Sequence, residues 1–128
     1  ENKIKDIVDE YKNLNNKKKI MIVTDNDADR ASFIKKIGDN VNLIFVMSGQ
    51  ECLEKIRNKE DFDLIIIKEK MDKLDALKTI AKLNAIKGFN TKVIIMTDNV
   101  EASKNLKMHG YDTILNNISS SELKKIIK

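Results

Sequence analysis

Five short apolar runs divide the chain at nearly regular intervals. They occupy residues 19–23, 43–47, 63–67, 92–96 and 112–115, and all but the last are almost continuously hydrophobic. Continuous runs of this length are typical of strands that are covered on both faces, as in a parallel sheet, because neither face meets water. The pattern therefore predicts five buried strands.

Segments with helical spacing of apolar residues follow these runs. Apolar residues three and four positions apart share one face of a helix, so we expect each segment to pack that face against the sheet. Strand and helix then alternate five times in residues 19–128, which predicts a doubly wound α/β domain with right-handed crossovers. The apolar positions are Ala31, Ile34 and Ile37; Cys52, Leu53 and Ile56; Leu77, Ile80 and Ala81; Ala102 and Leu106; and Leu123, Ile126 and Ile127.

Several residues mark the predicted ends of these helices. Ser48 and Glu51 have the spacing at which a hydroxyl and a carboxylate satisfy the free amides of a first helical turn. Asp98 with Glu101 is a looser version of that pair. Gly110 directly follows the fourth helical segment, where it suits a left-handed C-terminal cap.

The first residues do not belong to the repeat. They carry an apolar stripe made by Ile4, Ile7, Tyr11 and Leu14. A stripe of about two heptads fits a helix docked on the domain's own surface or the end of a signalling or dimerising coiled coil. We therefore divide the chain into an N-terminal linker or signalling helix, residues 1–16, and a folded domain, residues 17–128. Because the chain opens on Glu1, we expect a segment of a longer protein.

Composition narrows the class of protein. The chain is 41% hydrophobic and 34% charged, which is typical of a soluble globular domain. No apolar run approaches the roughly 20 residues that cross a bilayer, and the charged opening does not fit a signal peptide, so we expect a cytoplasmic protein without membrane association. The single cysteine, Cys52, agrees with a reducing compartment. The 24 basic and 20 acidic residues are interspersed and aromatics are 5%, which argues against nucleic-acid binding.

Candidate chemistry is expected where the strands end. In an open α/β sheet the site lies at the carboxyl ends of the strands, so the loops to consider begin at Thr24, Met47, Lys68, Thr97 and Asn116. The first of these loops, TDNDADR, has no glycine and three carboxylates. A loop that cradles phosphate needs glycine, because its backbone amides must approach the anion, and carboxylates would repel that anion. Nucleotide and flavin binding through this loop are therefore disfavoured.

The order and spacing of these pieces resemble the receiver domain of bacterial two-component response regulators over residues 19–128. The resemblance is carried by IMIVTDND, FDLIIIKEKMDKLDAL, VIIMTD and HGYDTILNN. It implies a flavodoxin-like fold, (βα)5, with the five parallel strands in the order 2-1-3-4-5 and an extra N-terminal helix in this chain. It also implies a role in phosphorelay signal transduction.

Five positions of this chain match the family's phosphorylation pocket, and they are Thr24, Asp25, Lys68, Thr97 and Asn117. In the family, two acidic residues end the first strand and help hold magnesium, and an aspartate that accepts the phosphoryl group ends the third. A hydroxyl ends the fourth strand, and a lysine that binds phosphate follows the fifth. Only Asp25 and Thr97 keep that chemistry, so the pocket is predicted to be degenerate.

The replacement at Lys68 has the largest expected consequence. An acyl phosphate requires a carboxylate nucleophile, and a divalent cation would meet the lysine as a like charge. We therefore expect no phosphorylation, no Mg²⁺, no other cofactor and no enzymatic activity. Lys68 is expected to extend toward Asp25 and supply the positive charge internally; the other interpretation is a solvated loop lysine. The chain is thus predicted to act as a protein-interaction or regulatory module.

Other interpretations remain open at this stage. Phosphorylation on Asp72 or Asp75 would keep the receiver active, and a Schiff-base enzyme using Lys68 is conceivable although no apolar pocket is indicated. Thr97 could simply satisfy local backbone, and Asp25 could cap the first helix. His109 is expected at a helix end, not as a phosphoryl carrier or metal ligand.

The resemblance also implies partners, which we expect to be a histidine kinase or an output domain. A homodimer through the N-terminal helix or through residues 99–128 is a further expectation.

Overall fold

The computed structural model describes residues 17–71 and 74–127 of the chain. The predicted N-terminal helix and Asp72 lie outside these residues.

In residues 17–71 and 74–127, five strands of four to six residues form one parallel sheet. Its order is 2-1-3-4-5, which confirms the predicted flavodoxin-like doubly wound architecture. The third strand lies at the centre, and its four leading residues are almost completely buried. The strands are β1 (Lys19–Val23), β2 (Asn42–Val46), β3 (Leu64–Lys68), β4 (Lys92–Thr97) and β5 (Asp112–Leu115).

Within the described residues, five helices cover the two faces of the sheet, and they are α1 (Asp27–Ile37), α2 (Gly49–Arg57), α3 (Ala76–Asn84), α4 (Val100–Met108) and α5 (Ser120–Ile127). Buried side chains of α2, α3 and α4 join one hydrophobic cluster, and those of α1 and α5 join the other. Both layers are needed because alternate residues of each strand point to opposite faces. Among the described residues, no helix is long and apolar enough to span a membrane.

Three predicted helical faces include apolar residues that the structure leaves exposed; on α5 this residue is Ile126, at 36%. On α1, Phe33 and Ile37 are buried, whereas Ile34 is 56% exposed. On α3, Ile80 is buried as predicted, whereas Leu77 is 43% exposed and Ala81 is also exposed. The apolar residues of these short helices allow two overlapping stripes, and in α1 the stripe that contains Phe33 faces the sheet.

The helix ends follow the predicted chemistry with one correction. The Ser48 hydroxyl accepts a hydrogen bond from the amide of Glu51 at 3.2 Å, as predicted. The predicted cap Asp98 is wrong, because the Asn99 side chain caps α4 by accepting from the amide of Ala102 at 3.0 Å. Gly110 follows the end of α4 with φ +91°, which confirms the left-handed position that favours glycine.

Gly49 permits the close packing of α2 against α3. A Cβ at Gly49 would lie 2.0 Å from the Thr79 hydroxyl and 3.0 Å from the Leu74 carbonyl oxygen. Thr79 is itself buried and donates to the Asp75 carbonyl oxygen at 2.8 Å, so it has little freedom to move away. The packing therefore requires glycine at position 49, since a larger side chain has no room.

Candidate functional site

The carboxyl end of β3 lies between the ends of β1 and β4. Ile67 pairs with Val23 on one side and with Ile95 on the other. The next residue, Lys68, pairs with Met96 and is the last residue of β3. The end of the central strand thus lies between the two loops that begin at Thr24 and Thr97.

Lys68 faces the acidic loop after β1. Its ammonium nitrogen Nζ lies 3.7 Å from Oδ1 of Asp25 and 3.6 Å from Oδ2 of Asp29. The Lys68 side chain is 24% exposed, and Asp29 at 14% is more buried than Asp25 at 33%. The expected approach of Lys68 to Asp25 is therefore observed, and the interpretation of Lys68 as a solvated lysine is wrong.

The ion pairs at Lys68 are partly screened by water. At about 4 Å and an effective dielectric near 20, each attraction is on the order of 4 kcal/mol before desolvation. Desolvation removes much of this, so the network sets the geometry of the loop more than it stabilises the fold. The ammonium offsets one of the two negative charges without a bound ion.

The Thr24 hydroxyl organises the loop on the β1 side. Thr24 is completely buried and donates from Oγ1 to Oδ2 of Asp29 at 2.9 Å. The same oxygen accepts from the amide of Asn26 at 3.1 Å. The Asn26 side chain caps α1 by accepting from the amides of Ala28 and Asp29. Asp25 is consequently not the cap of α1, and that interpretation is wrong.

The Thr97 hydroxyl makes a matching arrangement on the β4 side. Thr97 is buried and donates from Oγ1 to Oε1 of Glu69 at 2.7 Å. Its oxygen accepts from the amide of Asn99 at 3.2 Å, and Asn99 caps α4. Thr97 thus satisfies local backbone, as one interpretation expected, and also holds the carboxylate of the residue after Lys68.

These two arrangements arise from a repeated tripeptide. Thr-Asp-Asn occurs at residues 24–26 and again at 97–99, each time where a strand gives way to a helix. In both copies the threonine accepts from the asparagine amide and donates to a carboxylate, while the asparagine caps the helix. The repeat is visible in the sequence and would have identified Asn26 and Asn99 as caps.

The sequence reasoning missed two acidic members of the site. Asp29 lies in the first turn of α1, and Glu69 follows directly after β3, so neither matches a pocket position of the family. Glu69 also accepts, through its carbonyl oxygen, from the amide of Ala76 at 3.2 Å and donates its own amide to Met96 at 2.8 Å. It therefore connects β4, α3 and, through Thr97, α4.

A small pocket of about 270 Å³ adjoins Lys68 on the β4 side. Asn116 reaches it from the end of β5, and Oδ1 of its side chain is buried with no hydrogen-bond partner among the described residues. The predicted pocket residue Asn117 is exposed and does not line this pocket. The other lining residues are Lys68, Glu69, Lys70, Met96, Thr97, Asp98, Asn99 and Ala102.

Three other residues considered in the sequence lie at helix ends or in the core. Asp75 caps α3 by accepting from the amide of Lys78 at 3.1 Å. His109 ends α4, and its Nδ1 lies 2.8 Å from the Asn105 carbonyl oxygen, as expected for a histidine at a helix end. Cys52 is completely buried as a free thiol, and burial raises its pKa to about 12.

Solved receiver domains share this fold. One is the receiver domain of a sensor histidine kinase from Pseudomonas aeruginosa PAO1, solved with magnesium coordinated in its active-site cleft; the TM-score is 0.76, identity is 16%, and the match covers 87% of this chain and 94% of that one. Another is the chemotaxis protein CheY4 of Vibrio cholerae, with a TM-score of 0.73, 19% identity and coverage of 87% and 96%.

A third similar structure is the N-terminal domain of a response regulator/sensory box/GGDEF protein from Carboxydothermus hydrogenoformans, with a TM-score of 0.73, 20% identity and coverage of 86% and 90%. At these identities the likeness establishes the fold, which is that of a response-regulator receiver domain. No protein-family model matches the chain, and no curated protein matches it.

Proposed function

We propose that this chain is a receiver-like module of a two-component signalling protein that regulates a partner by binding and is not itself phosphorylated. The observation that carries the proposal is the position of Lys68. Its ammonium ends the central strand, 3.7 Å from Asp25 and 3.6 Å from Asp29, where the resemblance implies a phosphoryl-accepting aspartate.

The chemistry of phosphotransfer supports this proposal. In the family, a carboxylate oxygen attacks the phosphorus of the donor, and the product is an acyl phosphate. A lysine held between two carboxylates offers no such oxygen, and its positive charge is already compensated by Asp25 and Asp29. Asp75 is an unsuitable substitute because its carboxylate caps α3.

The donor set also fits magnesium poorly. Mg²⁺ prefers octahedral oxygen ligands and gives up its water reluctantly, so it needs carboxylates that are available to it. Asp25 and Asp29 both face the Lys68 ammonium within 4 Å. In the part of the chain that the structure describes, no group of three or more His, Cys, Asp or Glu residues is placed to hold a metal ion. Lys68 would take over the electrostatic role of the cation.

A binding role agrees with the remaining features of the site. Lys68 lies among carboxylates and not in an apolar pocket, which disfavours carbonyl chemistry through a Schiff base. The module is therefore proposed to have no enzymatic activity and to act in the cytoplasm through a histidine kinase or an output domain. Residues 99–128 are the proposed contact surface, and a homodimer would form through them or through the N-terminal helix.

Intact-mass spectrometry after incubation with acetyl phosphate and Mg²⁺ tests the proposal. The wild-type chain is expected to show no added phosphoryl group, while an independently phosphorylatable receiver serves as the assay control. A Lys68→Ala variant is the matched control within this chain, and it too should stay unmodified. A phosphoryl adduct on the wild type that maps to Asp72 or Asp75 would instead favour an active receiver.

A further inference from the structure

The Glu69 carboxylate follows the end of the central strand and contacts the β4 side of the site. Its Oε1 accepts the Thr97 hydroxyl at 2.7 Å, and Thr97 in turn accepts the amide of Asn99 at 3.2 Å. Asn99 then caps α4 through the amide of Ala102 at 3.0 Å. An unbroken hydrogen-bonded chain therefore runs from the residue after Lys68 into the first turn of α4.

We infer that the Glu69 carboxylate is a permanent internal acceptor for the Thr97 hydroxyl and thereby fixes the start of α4 in one conformation. This inference rests on the proposed function. It explains how a module that receives no phosphoryl group can still hold α4 in one conformation. The acceptor is part of the chain and the hydroxyl is always engaged. A partner that contacts α4 would meet the same surface at all times.

The charges around the end of β3 leave the Glu69 carboxylate available to Thr97. Lys68 is directed to the β1 side by Asp25 and Asp29, so it does not neutralise Glu69 across the strand end. The backbone of Glu69 is held at both its amide and its carbonyl oxygen, to Met96 and Ala76. With the backbone fixed, the carboxylate loses little freedom when it accepts from Thr97.

The repeated tripeptide provides a matched control. Thr24 makes the equivalent bonds toward α1, where Oγ1 donates to Asp29 and accepts from Asn26. Loss of this hydroxyl removes bonds of the same kind at a similar depth, since both threonines are buried. A Thr24→Val substitution should therefore loosen α1 and leave α4 as it is.

Amide hydrogen exchange followed by NMR tests the inference on the whole chain. In Glu69→Ala and Thr97→Val, the amides of Ala102 and Ser103 should exchange roughly tenfold faster than in the wild type, whereas the amide of Arg30 in α1 should not change. Glu69→Gln and Thr97→Ser keep an acceptor and a hydroxyl, so both should stay within about twofold of the wild type. Thr24→Val should show the opposite pattern between the two helices.

The urea-unfolding free energy of each variant corrects these rates for global stability. Unchanged exchange in α4, or equal increases in α1 and α4 after that correction, would overturn the inference. The outcome is separate from that of the phosphorylation assay. If the wild-type chain accepts a phosphoryl group and the exchange pattern is as expected, the proposed function is refuted and the role of Glu69 stands. If the wild-type chain stays unmodified and the exchange pattern fails, only the role of Glu69 is refuted.

Discussion

Thr24 and Thr97 make equivalent pairs of hydrogen bonds on opposite sides of the central strand. Each accepts the amide of the asparagine two residues later, at 3.1 Å and 3.2 Å. Each donates to a carboxylate, Asp29 at 2.9 Å and Glu69 at 2.7 Å. The end of β3 therefore lies between two buried hydroxyls, with Lys68 paired to one side and Glu69 to the other.

Asp29 is expected to matter more for stability than Asp25. It accepts the Thr24 hydroxyl, faces Lys68 and is 14% exposed, whereas Asp25 is 33% exposed. We expect Asp29→Asn to cost about 1–2 kcal/mol and Asp25→Asn less than about 1 kcal/mol. Urea denaturation of the two variants measures both costs. A larger loss for Asp25→Asn would show that the ranking is wrong.

Removal of the Lys68 charge should destabilise the fold in a salt-dependent way. Lys68→Met keeps most of the unbranched apolar stem but leaves Asp25 and Asp29 without their shared ammonium. The expected cost is about 1 kcal/mol at low salt and clearly less at about 0.5 M NaCl, because salt screens the partly exposed charges. Urea midpoints at the two salt concentrations give the measurement. A cost that does not depend on salt would point to packing instead of charge.

The side chain of Asn116 should contribute little to stability. Its buried Oδ1 has no hydrogen-bond partner in the part of the chain that the structure describes, so truncation removes a group that already carries a desolvation penalty. Asn116→Ala is expected to change the unfolding free energy by no more than about 0.5 kcal/mol. Asn26→Ala, which removes the cap of α1, should cost about 1 kcal/mol. Equal losses in the two variants would contradict this account of Asn116.

The buried thiol of Cys52 should lower the stability of the fold at alkaline pH. Burial raises the pKa of the thiol from 9.0 to about 12, because the charged thiolate is disfavoured in the core. Above pH 9 the unfolded chain loses this proton while the folded chain keeps it, so stability falls as pH rises. Between pH 8 and pH 10 the wild type should lose about 1 kcal/mol more than Cys52→Ala. Parallel pH profiles of the two proteins would refute this prediction.

Much of the fold could be predicted because the apolar runs are long and almost uninterrupted. Ile65, Ile66 and Ile67 are completely buried, as a central strand covered on both faces requires. The exact face of a short helix was harder to predict, because Ile34 and Leu77 fit the helical spacing as well as the residues that are buried. Packing against the sheet, which spacing alone does not contain, selects between such stripes.

The candidate site could be predicted only in part. Strand ends converge in a parallel sheet, so Lys68 and Asp25 were expected to approach each other, and they do at 3.7 Å. Asp29 and Glu69 were missed because their roles depend on the direction of a side chain after a turn. Asn117 follows Asn116, and which of the two faces the pocket depends on how the chain leaves β5.

A titration of the ¹⁵N-labelled chain with MgCl₂ tests the central claim most directly. The claim is that the Lys68 ammonium supplies the charge that a metal ion would otherwise supply. We predict no saturable shift of the Asn26 and Glu69 amide signals of the wild type at millimolar Mg²⁺. Saturable shifts in the wild type that disappear in Asp25→Ala would contradict the claim.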